Sequence, residues 1–414
     1  MNYSQVLSNI HNQKKFSTTA SLERISRLME RLGNPQNQIR CIHVAGTNGK
    51  GSVCALVEAA LRQAGYRVGL FTSPYLVDFR ERIQIDRKMI TEDQLISCYE
   101  TVMKEEVELE KNGYEPINEF ELVTAIGFVA FATAQVDFAI IEVGLGGRYD
   151  ATNVIAKPEV CCITPISLDH TAVLGNTVSA IAKEKAGILK QKRPVVISQQ
   201  NPDAFTAIYR TAKALQCPVI TVQESEQINY TVSGQKFRYK NHILFLPLLG
   251  SFQAENATTA WEICQLLGLE PDVIQKGFSK VVWKGRIQYV AGSPEILIDA
   301  GHNPAGISVL CNTIETLFEG KKIITVMAMM QDKDFKNCIS MIAKKSNLLI
   351  ATTTSLPRSL APEALAAEAA PHCNTIISNS VADGISVARE IADENSLIVV
   401  CGSVYAAGDA LRTI

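Results

Sequence analysis

The chain has 414 residues, 47% of them hydrophobic, which predicts roughly two to three domains with well-filled cores and argues against disorder. Forty basic residues against 42 acidic ones give a formal net charge of −2, so the chain lacks the basic excess that general nucleic-acid binding requires. Its longest apolar stretch, residues 122–136, is too short and too often interrupted by polar residues to cross a bilayer.

The eleven cysteines are scattered without any C-x-x-C pair, and Cys41, Cys161, Cys162 and Cys401 lie in strand-like runs. Such residues are typical of small buried side chains in a reducing compartment. The first residues carry neither an apolar signal-peptide core nor an arginine-rich targeting pattern. We therefore expect a cytoplasmic protein without structural zinc.

Short β-branched runs alternate with helical stretches through the first half of the chain. The predicted strands are residues 40–45, 67–71, 138–143, 160–163, 195–197 and 218–222. The predicted helices between them include residues 52–64, 92–111, 119–134 and 177–186. Strands that are apolar throughout and separated by helices indicate a parallel sheet covered on both faces.

The pattern changes over residues 227–249, where apolar and polar residues alternate. Turn signals at Ser233-Gly234 and Lys240-Asn241 predict antiparallel hairpins there. Two helices should follow, over residues 253–267 and 271–279.

A second alternating series predicts a second α/β domain. Its strands are expected at residues 296–299, 322–327, 348–352, 375–378 and 397–400. Glycine, proline and charge mix near residues 283–294, so we place the domains at residues 1–288 and 289–414. The fold class is therefore α/β, with a parallel-sheet P-loop ATPase domain followed by a smaller Rossmann-like α/β domain.

A glycine-rich loop, GTNGKGS, lies between the first predicted strand and the next helix, at residues 46–52. In this arrangement, backbone N–H groups and the helix N-terminus bind phosphates. Lys50 would reach the β- and γ-phosphates, and the Ser52 hydroxyl would bind Mg²⁺. Gly51 separates the lysine from the serine, which departs from the strict P-loop pattern. The alternative is a βα turn that binds nothing, and the flanking strand and helix argue against it.

Three further polar sites follow predicted strands, where a parallel sheet forms its ligand crevice. Ser73, Glu142 and His170 occupy them, and a hydroxyl and a carboxylate suit Mg²⁺. Taken alone, Glu142 could be an ion-pair partner and His170 a hydrogen-bonded loop residue. The simplest interpretation of Lys185 is that it lies on the solvated face of a helix that ends at a cap formed by Gly187.

Six blocks occur in order between residues 43 and 304, within a resemblance that runs from about residue 21 to 405: HVAGTNGKGS, LFTSPYLVDFRERI, IEVGLGGRYDATNV, ISLDHTAVLGNTVSAIAKEKAGI, GRIQ and IDAGHNP. With them the chain resembles the bacterial folylpolyglutamate synthase/dihydrofolate synthase family of the Mur ligase superfamily. The resemblance implies a P-loop domain of the Mur ligase central-domain type and a C-terminal glutamate-ligase domain. Tyr75, Phe252 and Lys284 depart from the family's usual residues and leave fine substrate preference open.

The resemblance also implies roles for individual residues. The ATP-binding residues would be Gly46, Thr47, Asn48, Gly49, Lys50, Gly51, Ser52, Asn256, Arg286 and Asp299. The metal ligands would be Ser52, Ser73, Glu142, His170 and Lys185, with Lys185 carbamylated to support a second Mg²⁺. Folate would bind at Ser21, Leu22, Arg24, Phe120, Glu121, Thr124, Tyr149, Asp150 and Ala151, and glutamate at His302 and Asn303. Lys50, Lys185, His170, Asp299 and His302 would be the catalytic residues.

The implied reaction is ATP-dependent ligation of L-glutamate to a folate or dihydropteroate carboxylate through an acyl phosphate. Which acceptor is used, or whether both are, stays open. We expect a monomer whose partners are these small molecules, without nucleic acid or membrane. One alternative is a muramyl-peptide ligase, against which the blocks GGRYDATN and LDHTAVLG argue. A nucleotide-hydrolysing switch is another, and it leaves the second domain unexplained.

Overall fold

The structure is a computed structural model that describes residues 1–14 and 20–414. Its α-helices are α1 (Tyr3–His11), α2 (Glu23–Arg31), α3 (Lys50–Gln63), α4 (Glu92–Lys111), α5 (Glu119–Thr133), α6 (Thr171–Leu174), α7 (Val178–Lys185), α8 (Pro202–Ala214), α9 (Phe252–Leu266), α10 (Pro271–Phe278), α11 (Pro304–Leu317), α12 (Phe335–Ala343), α13 (Pro362–Ala369), α14 (Val381–Ile391) and α15 (Val404–Thr413). Short 3₁₀ helices cover Pro35–Gln38, Phe79–Arg82, Ala151–Val154 and Ala186–Ile188.

The strands form three sheets. They are β1 (Arg40–Ala45), β2 (Val68–Phe71), β3 (Ile83–Ile85), β4 (Lys88–Met89), β5 (Phe138–Glu142), β6 (Val160–Ile163), β7 (Val195–Ile197), β8 (Val219–Thr221), β9 (Glu226–Thr231), β10 (Gly234–Tyr239), β11 (His242–Leu246), β12 (Gln288–Val290), β13 (Glu295–Ile298), β14 (Lys322–Met327), β15 (Leu348–Ala351), β16 (Asn374–Ile377) and β17 (Ser396–Cys401). The predicted strands are all confirmed, with ends that shift by one residue at most.

Backbone contacts divide the chain into two units. The first comprises residues 1–74, 79–224 and 256–278, and the second comprises residues 75–78, 225–255 and 279–414. The predicted domains group the chain differently, because they put residues 75–78, 225–255 and 279–288 with the N-terminal part.

The first unit is built on an eight-stranded sheet in the order β4-β3-β2-β5-β1-β6-β7-β8. The last six strands in this order, from β2 to β8, run parallel to one another. Strands β1 and β5 are buried along almost their whole length, as their apolar sequences predict. The antiparallel pair β3–β4 was not predicted. Its turn uses Asp86 and Arg87 at φ 51° and 68°, so the glycine or asparagine that usually marks such a turn is missing.

Helix α3, which follows the phosphate loop, is buried on nearly every side. It packs closely on α10, where a Cβ on Gly277 would lie 2.6 Å from the Ala60 Cα. Such a backbone-to-backbone approach fixes the helix and therefore the loop at its N-terminus. Because α3 is buried on nearly every side, no single apolar stripe marks the face that packs on α10, and periodicity could not predict that partner.

The second unit contains a six-stranded sheet in the order β12-β13-β17-β14-β15-β16, parallel except at β12. The three-residue β12 was not predicted because it is too short for alternation to be recognised. The antiparallel sheet β11-β10-β9 has its turns at Val232-Ser233 and Lys240-Asn241, close to the predicted positions. Within the described ranges, no helix is both long and apolar enough to span a membrane.

One buried carboxyl group makes the stability of the first unit dependent on pH. Glu106 of α4 is 3% exposed, and its Oε1 accepts a hydrogen bond from the Ile117 N–H at 3.1 Å. Burial raises the pKa of Glu106 to about 7. The hydrogen bond from Ile117 opposes this rise, and the neighbouring Glu110 adds to it. In the unfolded chain the pKa returns to about 4.5, so the folded state binds more protons between pH 4.5 and 7.

We therefore expect the free energy of unfolding to fall as the pH rises through that window. Glu106→Gln keeps the size and the acceptor oxygen but cannot ionise, so its stability should not show this loss. Melting temperatures of both proteins, measured from pH 4.5 to pH 8, test the expectation. Parallel curves would show that Glu106 does not titrate in this range.

Candidate active site

Four parallel strands end at one edge of the first sheet. Register pairs Val44 with Glu142 and Ala45 with Ile163, and Phe71 pairs with Ile141. The loops that follow β1, β2, β5 and β6 therefore begin side by side. The structure thus brings the phosphate loop, Ser73, Glu142 and the loop of His170 to a common edge, as the strand assignments predict.

The phosphate loop requires glycine at two positions. Gly46 has φ 151°, and a Cβ there would lie 1.8 Å from the Thr164 Oγ1. Gly49 has φ 84°, and its Cβ would lie 2.3 Å from the Asn256 Oδ1. Asn256, matched to a nucleotide contact by resemblance, therefore lies directly against the loop.

The loop is also fastened to the segment after β6. The backbone N–H groups of Thr47 and Asn48 donate to the Pro165 carbonyl oxygen at 3.0 and 3.2 Å. The Thr47 hydroxyl donates to the Ser167 carbonyl oxygen at 3.2 Å, and the Asn48 Nδ2 donates to the Ser167 Oγ at 3.3 Å. These contacts hold the loop in an open curve at the N-terminus of α3, with Gly51 and Ser52 in the first turn of the helix.

Two lysine side chains converge on a single carbonyl oxygen of this loop. The Lys50 Nζ donates to the Gly46 carbonyl oxygen at 3.2 Å, and the Lys185 Nζ donates to the same oxygen at 2.7 Å. Lys185 is only 6% exposed, so its interpretation as a solvated helix face is wrong. Burial, followed by the charge of Lys50, lowers the pKa of Lys185 to about 7, and Asp169 opposes the shift.

The predicted metal ligands form a set rich in oxygen donors. The buried Glu142 accepts a hydrogen bond from the Ser73 N–H through its Oε2 at 3.1 Å, and the buried Ser52 lies in the first turn of α3. The His170 side chain is 43% exposed, and its Nε2 lies 3.9 Å from the Asp169 Oδ2. Among the described residues, no three His, Cys, Asp or Glu side chains cluster in a metal-binding arrangement. A buried carboxylate with hydroxyls beside a phosphate loop fits Mg²⁺, which takes few protein ligands.

Two of the predicted folate residues pair with each other. The Arg24 guanidinium and the Glu121 carboxylate are both buried, and they form an ion pair at 3.2 Å. Glu115 adds a second contact to Arg24 at 3.3 Å. Glu121 is also the third residue of the capping box of α5, where its Oε2 accepts from the Asn118 N–H at 2.8 Å. This pair therefore joins α2 to the start of α5.

The other predicted folate residues lie on the same elements or on the loop after β5. Phe120 covers Gly144, since a Cβ at that glycine would lie 2.4 Å from its ring. Thr124 is buried, whereas Tyr149 is 52% exposed. The remaining members are Ser21, whose Oγ accepts from the Glu23 N–H, Leu22 at the start of α2, and the buried Asp150 and Ala151.

Asp299 in the second unit has its carboxylate fixed by two backbone groups. Its Oδ1 accepts from the Ile287 N–H at 2.9 Å, and its Oδ2 accepts from the Gly301 N–H at 2.6 Å. Burial raises the pKa of Asp299, and the neighbouring Arg286 opposes this rise. The structure therefore brings two predicted nucleotide contacts, Arg286 and Asp299, together within one unit.

The predicted glutamate residues lie in the next part of the same loop. The His302 Nδ1 lies 3.0 Å from the Ala300 carbonyl oxygen, which can only accept, so Nδ1 carries a proton and, in the neutral tautomer, Nε2 is the acceptor nitrogen. Asn303 caps α11, with its Oδ1 accepting from the Gly306 N–H at 2.8 Å. The loop conformation is therefore set by its own side chains.

Family models and known proteins match almost the whole chain. Residues 44–264 match the Mur ligase middle domain, and residues 285–404 match the Mur ligase glutamate ligase domain. The dihydrofolate synthase/folylpolyglutamate synthase of Bacillus subtilis is 33% identical over 429 residues, covering 100% of this chain and 99% of that protein. The folylpolyglutamate synthase of Lacticaseibacillus casei is 34% identical and covers 88% of each chain.

Solved structures agree with this match. Mycobacterium tuberculosis folylpolyglutamate synthase complexed with ADP superposes with a TM-score of 0.91 at 33% identity, covering 99% of this chain and 97% of that one. Escherichia coli FolC in complex with DHPP and ADP gives a TM-score of 0.89 at 28% identity, with coverages of 100% and 97%. The predicted fold class is thereby confirmed, and the folate branch is favoured over the muramyl-peptide alternative. The chain belongs to the folylpolyglutamate synthase/dihydrofolate synthase family of Mur ligases, which are ATP-dependent acid–amino-acid ligases.

Proposed function

We propose that the protein uses ATP to join L-glutamate to the carboxylate of folate, of dihydropteroate, or of both. The similar proteins support this proposal, since they carry the names of both synthases and include E. coli FolC solved with DHPP and ADP. Dihydropteroate presents an aromatic carboxylate and folate a side-chain carboxylate of its glutamyl residue, so the acceptor carboxylate is moved outward by one glutamyl unit. One site can therefore serve both.

The chemical difficulty is that a carboxylate is a poor electrophile. A carboxylate oxygen attacks the γ-phosphorus of ATP, which releases ADP and leaves an acyl phosphate. The neutral amine of glutamate then attacks the acyl carbon, the tetrahedral intermediate expels phosphate, and the amine loses a proton. The first step depends on positioning and charge neutralisation more than on acid–base chemistry.

The observation that carries the proposal is the convergence of Lys50 and Lys185 on the Gly46 carbonyl oxygen. It puts two amines beside a glycine-rich loop that leads into the N-terminus of α3, the arrangement in which backbone N–H groups bind phosphates. Lys50 would neutralise the transferred phosphoryl group, as lysines of such loops do. Asn256 would contact the nucleotide from beside Gly49, and Arg286 and Asp299 would supply further nucleotide contacts.

We propose that Ser52, Ser73, Glu142 and His170 hold Mg²⁺. When bound, the metal would neutralise the phosphate charge and orient the γ-phosphoryl group. We further propose that Lys185 is carbamylated and helps to hold a second Mg²⁺. A pKa of about 7 supports this, because an appreciable neutral fraction of the amine can then react with CO₂ at neutral pH. The carbamate would turn a buried cation beside Lys50 into an anion.

We propose that glutamate binds at the loop of His302 and Asn303 in the second unit, and that the pterin binds at the surfaces around Phe120 and Tyr149 in the first unit. Support for the first is the fixed imidazole of His302, whose Nε2 is an acceptor for an ammonium or amine N–H. We also propose a reducing, cytoplasmic setting, since all eleven cysteines are free thiols. The monomeric state stays a prediction.

The test is ADP release by the purified protein with Mg²⁺, ATP and glutamate, given dihydropteroate in one reaction and tetrahydrofolate in another. Turnover with dihydropteroate alone means a dihydrofolate synthase, turnover with tetrahydrofolate alone means a polyglutamate synthase, and turnover with both means a bifunctional enzyme. Glutamate must be required in every case. ADP release that ignores glutamate would reject the ligase proposal and favour a nucleotide-hydrolysing switch.

A further inference from the structure

A fully buried histidine lies in the middle of β1, three residues before the phosphate loop. His43 pairs in register with Ile141 of β5 and Cys161 of β6, at the centre of the sheet. An imidazole is an unusual side chain for such a position because it must satisfy a polar atom away from water. Burial lowers the pKa of His43 to about 3, so the ring is neutral at physiological pH.

The hydrogen-bond directions around His43 are determined by its partner. The His43 Nε2 lies 2.8 Å from the Thr152 Oγ1, and the Thr152 hydroxyl donates its only proton to the Asp150 Oδ1 at 2.5 Å. Burial raises the pKa of Asp150, and its hydrogen bonds with Thr152 and with backbone N–H groups oppose that rise. When Asp150 is ionised, its carboxylate can only accept, so the Thr152 hydroxyl donates to it and accepts from His43. The Nε2 atom therefore carries the ring proton, and among the described residues Nδ1 has no hydrogen-bond partner. The histidine thus acts as a single N–H donor.

The series of hydrogen bonds from His43 through Thr152 to Asp150 ends at the loop after β5. Asp150 also accepts from the Thr152 N–H at 3.0 Å, and its Oδ2 accepts from the Leu145 N–H at 2.8 Å. The carboxylate of Asp150 therefore links the last residue of the segment 145–150 to its first residue by a hydrogen bond. The orientation of this carboxylate depends on a threonine hydroxyl whose own direction is imposed by His43.

The same loop is packed against the turn that carries Lys185. The Arg148 N–H donates to the Glu184 carbonyl oxygen at 2.9 Å. A Cβ on Gly147 would lie 2.7 Å from that oxygen and 2.9 Å from the Lys185 Cα, so the two backbones touch. A displacement of the loop would therefore move Lys185 relative to the Gly46 carbonyl oxygen.

We propose that His43 is a positioning residue for the ligation reaction, acting through Thr152 and Asp150 to hold the loop of residues 144–150 against the Lys185 turn. The expected effect of His43 on catalysis rests on the proposed function. The anchoring itself rests on hydrogen bonds that exist whatever the reaction is. Among the described residues, His43, Thr152 and Asp150 form no hydrogen bond with the glycines of the phosphate loop, so we expect their substitution to change the KM for ATP little.

Activity separates this role from a purely structural one. We expect Thr152→Val, which lacks the hydroxyl, to lower kcat by about 10- to 100-fold while the KM for ATP changes little. Thr152→Ser restores the hydroxyl and should recover most of the rate. His43→Leu should lower kcat about as much as Thr152→Val does, and His43→Gln should recover part of the rate through its amide N–H. The double variant His43→Leu/Thr152→Val should have a kcat only slightly lower than that of either single variant.

Hydrogen exchange tests the anchoring without any substrate. In Thr152→Val and His43→Leu, the amides of residues 145–148 should exchange faster than they do in the wild type. The amides of β5 should show a smaller increase in exchange rate. The matched control is Ile42→Ala, which removes a neighbouring buried side chain of β1 and should lower the melting temperature without a selective effect on the loop.

Uniformly faster exchange, or equal kcat in Thr152→Val and Thr152→Ser, would overturn the inference. A wild-type protein without glutamate-dependent turnover would instead reject the proposed function. In that case the exchange pattern still decides whether His43 anchors the loop, so the two failures are distinguishable.

Discussion

Lys50→Ala should lower kcat by roughly 10³-fold while the protein stays folded. The Lys50 amine donates to the Gly46 carbonyl oxygen of the phosphate loop, and in the proposed mechanism it neutralises the charge on the transferred phosphoryl group. Its removal also deletes the cation that lowers the pKa of Lys185, so that pKa should rise. Initial-rate kinetics with saturating folate substrate and glutamate measure the effect, and thermal melting establishes folding.

Lys183→Ala is the matched control for the loss of a lysine. It removes an exposed lysine from α7 in the same unit and should leave kcat unchanged. A Lys50→Ala protein with near-normal turnover would show that the loop of residues 46–52 does not bind the reacting phosphates.

Lys185→Ala should lower kcat by roughly 10²-fold or more, and added formate or acetate should restore part of the rate. The reason is the proposed carbamate: if Lys185 works as a carboxylate-like group, a small carboxylate that enters the space left by the side chain can replace it. The buried amine lies 2.7 Å from the Gly46 carbonyl oxygen, so the space opens directly onto the phosphate loop. Rates measured against carboxylate concentration test this expectation.

Chloride at equal ionic strength serves as the control for salt effects, and Lys50→Ala should not respond to formate. Rescue of Lys185→Ala by methylamine instead of formate would show that the residue acts as a cation. That outcome would remove the carbamate proposal and leave the phosphate-loop assignment in place.

Most of the fold could be predicted from the sequence, because buried parallel strands are short apolar runs bounded by glycine or polar residues. The strands β1, β6, β7 and β14 lie where the sequence places them. The strands that could not be predicted are β3, β4 and β12, each of two or three residues that include a polar one, so neither an apolar run nor a recognisable alternation marks them. The grouping of residues 225–255 with the second unit depends on contacts between segments far apart in the chain, which local patterns do not encode.

The site divides in the same way. Glycine spacing and the positions of strand ends locate the phosphate loop, Ser73 and Glu142, because those features are local. The environment of Lys185 is not local: the run KEKAG predicts an exposed helix face, whereas tertiary packing buries the side chain and brings its amine to the Gly46 carbonyl oxygen. His43 gave no signal in the sequence because one histidine in an apolar strand is compatible with many roles. Its link to Thr152 spans 109 positions.

The most direct test of the central claim uses an acceptor whose reacting carboxylate is labelled with ¹⁸O. If glutamate ligation proceeds through an acyl phosphate, one carboxylate oxygen leaves with the phosphate, so the inorganic phosphate should contain one ¹⁸O atom per turnover. The amide product should retain the other. Mass spectrometry of the phosphate gives the answer in a single turnover experiment. Unlabelled phosphate, with both ¹⁸O atoms retained by unreacted acceptor, would mean that water attacks ATP and that the protein does not activate the carboxylate.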